Sequence, residues 1–78
     1  MLVSMKAILE DANRNNYAVM AMNTVNMEMA RAAIEAAEEE HSAIIVQFGK
    51  GQMQTLAHKE EMLPMIKEMA EKVHVPVC

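Results

Sequence analysis

Two short apolar runs, each followed by a stretch with helical periodicity, constrain the fold of this chain most. Residues 17–22 and 43–48 are almost wholly apolar, and neither run alternates between polar and apolar side chains. A strand that is apolar on both sides is typical of a parallel sheet covered by helices. The sequence therefore predicts an α/β fold built on a parallel βαβαβ segment.

Three amphipathic stretches supply the helices of this segment. Apolar residues recur at intervals of three and four over residues 4–15, 27–40 and 61–73, which is the spacing of one helical face. Pro64 places the start of the third helix between residues 60 and 63, because proline is tolerated only in the first turn. A last strand is predicted over residues 75–78, so the chain is a single segment with a leading helix. The predicted apolar faces comprise Met5, Ile8, Leu9, Ala12, Met27, Ala30, Ala33, Ile34, Ala37, Met62, Met65, Ile66, Met69, Ala70 and Val73.

This topology leaves part of the predicted sheet uncovered. Right-handed crossovers between neighbouring parallel strands place both crossover helices on the same side of the sheet. The opposite face and both edges would then be apolar and open. A closed (β/α)8 barrel removes both faults, because its inner face packs on itself. With only 78 residues, the chain is predicted to be part of a larger TIM barrel or a subunit of a homo-oligomer.

Charge and composition exclude several classes of function. Eleven acidic residues against seven basic ones, with one Tyr and one Phe, argue against nucleic-acid binding. No apolar run approaches the ~20 residues that span a membrane, and the N-terminus lacks the apolar region of a signal peptide. A single cysteine, Cys78, excludes an intramolecular disulfide. These features together predict a cytoplasmic protein.

The residue types that bind metals or act as nucleophiles form no recognisable motif. None of the three histidines, His41, His58 and His74, has a second His or Cys three or four residues away. His41 and His74 each precede a strand and are interpreted as surface or turn residues. Cys78 is interpreted as a small buried hydrophobe. The residues therefore predict no metal site and no catalytic group within these 78 residues.

Two positions follow the ends of predicted strands, where ligands bind in α/β folds. Asn23 follows the first strand, and Asn26 competes with it for the helix cap, which leaves the Asn23 amide for a ligand. Residues 49–52 are predicted to be a flexible loop in which Gly49 lets backbone N–H groups approach a phosphate and Lys50 adds charge. A phosphate contact and an ordinary cap and loop are both open interpretations.

Four stretches, residues 11–23, 32–38, 42–48 and 73–77, carry a family resemblance in their order and spacing. Together they resemble the N-terminus of class II ketose-bisphosphate aldolases, the metal-dependent fructose- and tagatose-bisphosphate aldolases. The resemblance covers nearly the whole chain and about the first quarter of such an enzyme. It implies a TIM barrel, often dimeric, that uses a divalent metal, usually zinc.

The activity implied by the resemblance belongs to glycolysis and related carbohydrate metabolism. It is reversible aldol cleavage of a ketose 1,6-bisphosphate to dihydroxyacetone phosphate and glyceraldehyde 3-phosphate. In this family an Asp–His pair directly after the third strand supplies the acid/base group and a metal ligand. Because the sequence reaches only Cys78, the resemblance implies that it holds no metal ligand and no catalytic acid/base, and that it is inactive alone.

Two site residues carry over from the resemblance. Asn23 matches the family's Asn near a substrate phosphate, and Gly49 stands where many members have a Ser or Thr hydroxyl for that phosphate. A glycine can offer only its backbone N–H there. Met20 replaces a proline common in the first strand, and the helix over residues 4–15 would plug the amino-terminal end of the barrel. The alternatives are a non-catalytic α/β module that self-associates, and a small phosphate binder that uses Asn23 and residues 49–51.

Overall fold

The computed structural model describes residues 1–52 and 59–78. Its elements follow the predicted order of helix, strand, helix, strand and helix, with one short helical segment in addition. They are α1 (Met5–Asn15), β1 (Met20–Asn23), α2 (Met27–Glu39), β2 (Ile44–Gln47), α3 (Lys50–Gln52) and α4 (Lys59–Lys72).

The two strands pair in parallel, as predicted, but both are shorter than the apolar runs. The register runs from Met20 opposite Ile44 to Asn23 opposite Gln47. The residues just before β1 make a turn instead, because the Tyr17 N–H donates to the carbonyl of Ala12 at the end of α1 (3.1 Å). The apolar character of residues 17–19 therefore does not extend the strand.

The chain's last residues join this sheet through single bridges, not through the continuous strand predicted over 75–78. Val77 pairs in parallel with Ile44 on one side and with Leu2 on the other. The Val3 N–H donates to the Val77 carbonyl (2.9 Å), and the Val77 N–H donates to the Met1 carbonyl (2.8 Å). The N-terminal residues, for which the sequence indicated no element, therefore cover the outer side of these bridged residues, which stand in the place of the predicted third strand.

Proline substitutions in the N-terminal residues test this pairing. We expect Val3→Pro to lower the free energy of unfolding by about 1 kcal/mol, because it removes the N–H that donates to Val77. Leu2→Pro is the matched control, since the bridge uses the Met1 carbonyl and the Val3 N–H and not the N–H of Leu2. Urea denaturation followed by circular dichroism compares the two. Equal losses in both variants would contradict the pairing.

Capping residues set both ends of α1. The Ser4 hydroxyl accepts from the Ala7 N–H at the start of α1, and Asn16 ends that helix in the left-handed conformation (φ 57°). Helix α4 begins at Lys59, earlier than predicted, so Pro64 lies beyond its first turn. Pro64 and Glu60 are both exposed, so water can satisfy the Glu60 carbonyl that the missing proline N–H leaves without a partner.

The main core lies between α2, α4 and one face of the sheet. The apolar face predicted for α2 is confirmed at Ala30, Ala33, Ile34 and Ala37, which are all buried. On α1, Ile8 is buried but Leu9 is 47% exposed, so the predicted stripe of that helix is only half covered. The buried cluster consists of Ala30, Ala33, Ile34, Ala37, Ile44, Met62, Ile66, Ala70, Val75 and Val77.

Strand β1 remains largely uncovered. All four of its residues are exposed, and Met20 reaches 66%. On β2, by contrast, Ile44 and Ile45 are buried although they point to opposite faces. The predicted open apolar surface is thus concentrated on β1 instead of the whole inner face. In the described part of the chain, no helix is both long and apolar enough to cross a membrane.

Candidate functional site at the carboxyl ends of the strands

The two parallel strands bring a pair of carboxamides together at their carboxyl ends. Asn23 ends β1, Gln47 ends β2, and the two are register partners. Ile44 belongs to the core beneath α2, so by alternation Asn23 and Gln47 point to the opposite face of the sheet. The Gln47 side chain donates through Nε2 to the Asn23 Oδ1 at 3.0 Å.

The backbone after β1 is held to the same strand end. The Thr24 N–H donates to the Gln47 carbonyl (2.8 Å), and the Thr24 side chain is fully buried. Its hydroxyl oxygen has no hydrogen-bond partner among residues 1–52 and 59–78. Asn26 caps α2 by accepting from the Met29 N–H at 2.9 Å. The structure therefore gives the cap of α2 to Asn26 and not to Asn23.

The second predicted site residue, Gly49, follows β2 by two positions and is exposed. The predicted loop over residues 49–52 is wrong in part, because Lys50–Gln52 is helical. Gly51 has no left-handed backbone, and an added Cβ there would meet nothing within 4 Å. Lys50 begins this short helix and is exposed, so a positive charge lies beyond the carboxyl end of β2. The fold thus brings Asn23 and Gly49 to one end of the sheet.

Histidines play structural roles at the opposite, amino-terminal end of the strands. His41 is exposed and adopts a left-handed turn conformation (φ 53°) before β2, as its interpretation as a turn residue predicts. The His74 Nδ1 lies 2.7 Å from the Glu38 Oε1. The Glu38 Oε2 accepts from the backbone N–H groups of His74 (2.8 Å) and Val75 (3.1 Å). His58 lies outside the described residues.

Glu38 is a residue whose role the sequence did not predict. It lies in the acidic run Glu38–Glu40 at the carboxyl-terminal end of α2. In the structure, its side chain is 32% exposed and ties α2 to the turn that leads into the third strand. The hydrogen bond with the His74 ring, assisted by the two backbone N–H groups, lowers the pKa of Glu38 from its ordinary value.

This lowered pKa predicts a pH dependence of stability. A carboxyl whose pKa is depressed by folding contributes stability above its unfolded pKa, here near 4.5, and loses it as the pH falls through the folded value. We expect Glu38→Gln to be less stable than the parent at neutral pH, and the difference to shrink below pH 4.5. Urea midpoints across this pH range measure it. Glu39→Gln, at an exposed position one residue on, is the control, and the same pH profile in both variants would contradict the assignment.

A second titratable cluster joins the end of α1 to the residues before β1. The Tyr17 hydroxyl donates to the Asp11 Oδ2 at 2.5 Å, and Arg14 donates to the Asp11 Oδ1 at 3.2 Å. The tyrosine bond, then the arginine bond, lowers the pKa of Asp11, and the same contact with Asp11 raises the pKa of Tyr17. Asp11 and Tyr17 line a cavity with Ala43 and Pro76, which precede β2 and the third strand. Helix α1 therefore lies at the amino-terminal end of the sheet, away from Asn23.

The described residues do not form a metal centre. Residues 1–52 and 59–78 contain no group of three or more His, Cys, Asp or Glu side chains that could hold a metal ion. These residues therefore do not fit the metal that the family resemblance implies. Cys78 is a half-buried free thiol.

Comparison with known proteins places the chain in a family. Residues 3–78 match the family described as class-II fructose-bisphosphate aldolase. The fructose-bisphosphate aldolase of Mycoplasma pneumoniae is 35% identical over 80 residues, and that of Geobacillus stearothermophilus is 36% identical over 76. These alignments cover 100% and 97% of this chain, but 28% and 26% of the two relatives. The chain belongs to the class II fructose-bisphosphate aldolase family.

A solved structure agrees with the sequence comparison. The YdjI aldolase from Escherichia coli K12 superposes with a TM-score of 0.88 at 36% sequence identity, over 99% of this chain and 29% of that one. The parallel βαβαβ segment with its leading helix is therefore the N-terminal part of a TIM barrel, as predicted. The chain spans about a quarter of the length of the relatives that it matches. The family resemblance seen in the sequence is confirmed.

Proposed function

We propose that these 78 residues form the N-terminal quarter of a class II ketose-bisphosphate aldolase and supply part of its substrate phosphate site. The observation that carries the proposal is the placement of Asn23 and Gly49 at the carboxyl ends of neighbouring strands, on the side where TIM barrels bind substrate. The reaction is the reversible aldol cleavage of fructose or tagatose 1,6-bisphosphate. It yields dihydroxyacetone phosphate and glyceraldehyde 3-phosphate.

In this proposal, each residue acts on the phosphate and none acts on the bond that breaks. The Asn23 amide donates N–H groups to phosphate oxygens, and Gly49 contributes through its backbone. Lys50 adds a positive charge on the same side of the sheet, which favours an anion. Binding of the phosphate holds the sugar chain in one orientation, and this places the reacting carbons correctly for the reaction.

The metal and the acid/base group of the reaction are assigned to parts of the barrel outside this chain. A zinc ion there would polarise the substrate carbonyl as a Lewis acid. No described residue of this chain is proposed as its ligand. We place the protein in the cytoplasm and in carbohydrate metabolism on the same family grounds.

The test uses the chain alone and the chain joined to the rest of a relative. The 78 residues are expected to show no fructose 1,6-bisphosphate cleavage above background, with or without added zinc. The joined protein consists of this chain followed by the part of the Geobacillus stearothermophilus aldolase that lies beyond the matched region, and it is expected to cleave the sugar. Turnover by the chain alone, or a well-folded joined protein without activity, would contradict the proposal.

A second candidate, a self-associating module, is favoured by one observation. The outer side of β1 lines an apolar groove of about 240 Å³ with α2, between Met20, Met22, Ala33, Ala36 and Ala37. A second copy could cover this groove by adding to the open edge of β1. Gel filtration with light scattering separates the candidates. A monodisperse dimer that Met20→Lys dissociates would favour the module, and a monomer that Met20→Lys leaves unchanged would exclude it.

A further inference from the structure

From this geometry we infer that Gln47 is a positioning residue for the phosphate site, because it fixes which end of the Asn23 carboxamide faces the ligand. The inference rests on the proposed function of Asn23. It starts from one contact, in which the Gln47 Nε2 donates to the Asn23 Oδ1 at 3.0 Å. An amide that accepts through its oxygen must turn its nitrogen the other way. The two Nδ2 hydrogens of Asn23 are then presented to an anion.

The backbone around this contact keeps the two side chains in place. Asn23 and Gln47 are opposite each other in the parallel register and lie on the same face of the sheet. Gln47 also holds the next residue, because its carbonyl accepts from the Thr24 N–H at 2.8 Å. The end of β1 is thus attached to Gln47 both through its backbone and through the Asn23 side chain.

Competing partners for the Asn23 amide are removed by the same fold. Asn26 caps α2, so the Asn23 oxygen is not drawn to the helix N-terminus. Within the described residues, Gln47 is the only side chain that hydrogen-bonds to Asn23. Without the Gln47 donor, an exposed asparagine can present either its oxygen or its nitrogen to a ligand, and an outward oxygen repels phosphate. Gln47 therefore makes the site selective for an anion without touching it.

Two variants of Gln47 test whether its hydrogen bond orients the Asn23 amide. Gln47→Met keeps the length of the side chain and adds no charge, but it removes the donor. Gln47→Glu keeps the shape and offers only acceptors, so the Asn23 amide is expected to flip and donate to it. Gln47 is exposed, so both variants are expected to retain the parent's unfolding midpoint. Asn13→Ala, at an exposed position on α1, is the matched control.

The experiment is NMR spectroscopy of the ¹⁵N-labelled 78-residue chain, with the side-chain amide signals of Asn23 and Gln47 assigned. In the parent, the Asn23 amide group is expected to be ordered and to shift when inorganic phosphate is added. In Gln47→Met it is expected to lose order, and the apparent phosphate Kd is expected to rise about tenfold. In Gln47→Glu the phosphate-dependent shift is expected to disappear, while Asn13→Ala behaves like the parent.

The outcomes distinguish the inference from the proposed function. If the parent's Asn23 signal ignores phosphate, the proposed phosphate contact fails, but the order of the Asn23 amide still tests positioning. Equal order of that amide in the parent and in Gln47→Met overturns the role of Gln47, whatever phosphate does. A parent that responds to phosphate, together with a Gln47→Met variant of unchanged Kd, overturns it as well.

Discussion

Replacing Ile34 with alanine is expected to lower the free energy of unfolding by about 2–5 kcal/mol. Ile34 is 1% exposed and lies in the middle of α2, within the cluster that joins α2, α4 and the sheet. The same buried cluster contains Ala70 of α4, which is 0% exposed. Removing the Ile34 side chain is therefore expected to leave a cavity within this cluster.

A loss of this size is large for a chain of this length. Small domains have a total stability of about 5–15 kcal/mol, and short ones lie at the lower end. Urea denaturation followed by far-ultraviolet circular dichroism measures the change. Leu9→Ala is the matched control, since Leu9 is also a helical residue but is 47% exposed. Similar losses at Leu9 and Ile34 would show that the cluster around α2 is not the core.

The contrast between α1 and α2 shows what helical periodicity can predict. The spacing of apolar residues predicted the four buried residues of α2, but on α4 the predicted inward residue Met65 is 44% exposed. On α1, Met5 and Leu9 lie on the predicted stripe but remain about half exposed. Periodicity predicts which face is apolar, but a separate element must lie against that face before its residues are buried.

The strands show the same limit of prediction from an apolar pattern. A continuous apolar run indicates a strand covered on both faces, yet every residue of β1 is exposed. In a barrel, both sides of a strand are covered by other strands and helices, and most of a TIM barrel lies outside a chain that spans about a quarter of its relatives. The apolar composition of β1 thus suits the covered position that this strand has in a complete barrel, and not its exposure among the described residues.

The candidate site was predictable only where it depends on position along the chain. Asn23 and Gly49 were predicted as site residues because each follows an apolar run at a strand end. The partnership of Asn23 with Gln47 needs the register of β1 against β2, which the sequence does not contain. Glu38 and His74 are 36 residues apart in the sequence. An acidic run at the end of a helix does not by itself indicate that one of its carboxylates binds the turn before the third strand.

Replacing Asn23 with alanine in the joined protein is expected to lower kcat/KM for fructose 1,6-bisphosphate roughly 10- to 150-fold. This range is the kinetic equivalent of about 1.5–3 kcal/mol, the usual contribution of a hydrogen bond to a charged group. Asn23 is exposed at the end of β1, and its role in stability is confined to the contact with Gln47. The loss should therefore appear in the kinetics while the unfolding midpoint stays near that of the parent protein.

Inhibition by inorganic phosphate identifies the cause of this loss in kcat/KM. If Asn23 binds a phosphate, inorganic phosphate should inhibit the parent joined protein more strongly than the Asn23→Ala variant, because the variant has lost that anion contact. Asn13→Ala, on α1 at the other end of the sheet, should leave both kcat/KM and inhibition unchanged. An Asn23→Ala variant with unchanged kcat/KM would remove Asn23 from the substrate site. An Asn23→Ala variant that loses activity but is still inhibited by phosphate would show that Asn23 stabilises the end of β1 and that the phosphate binds elsewhere.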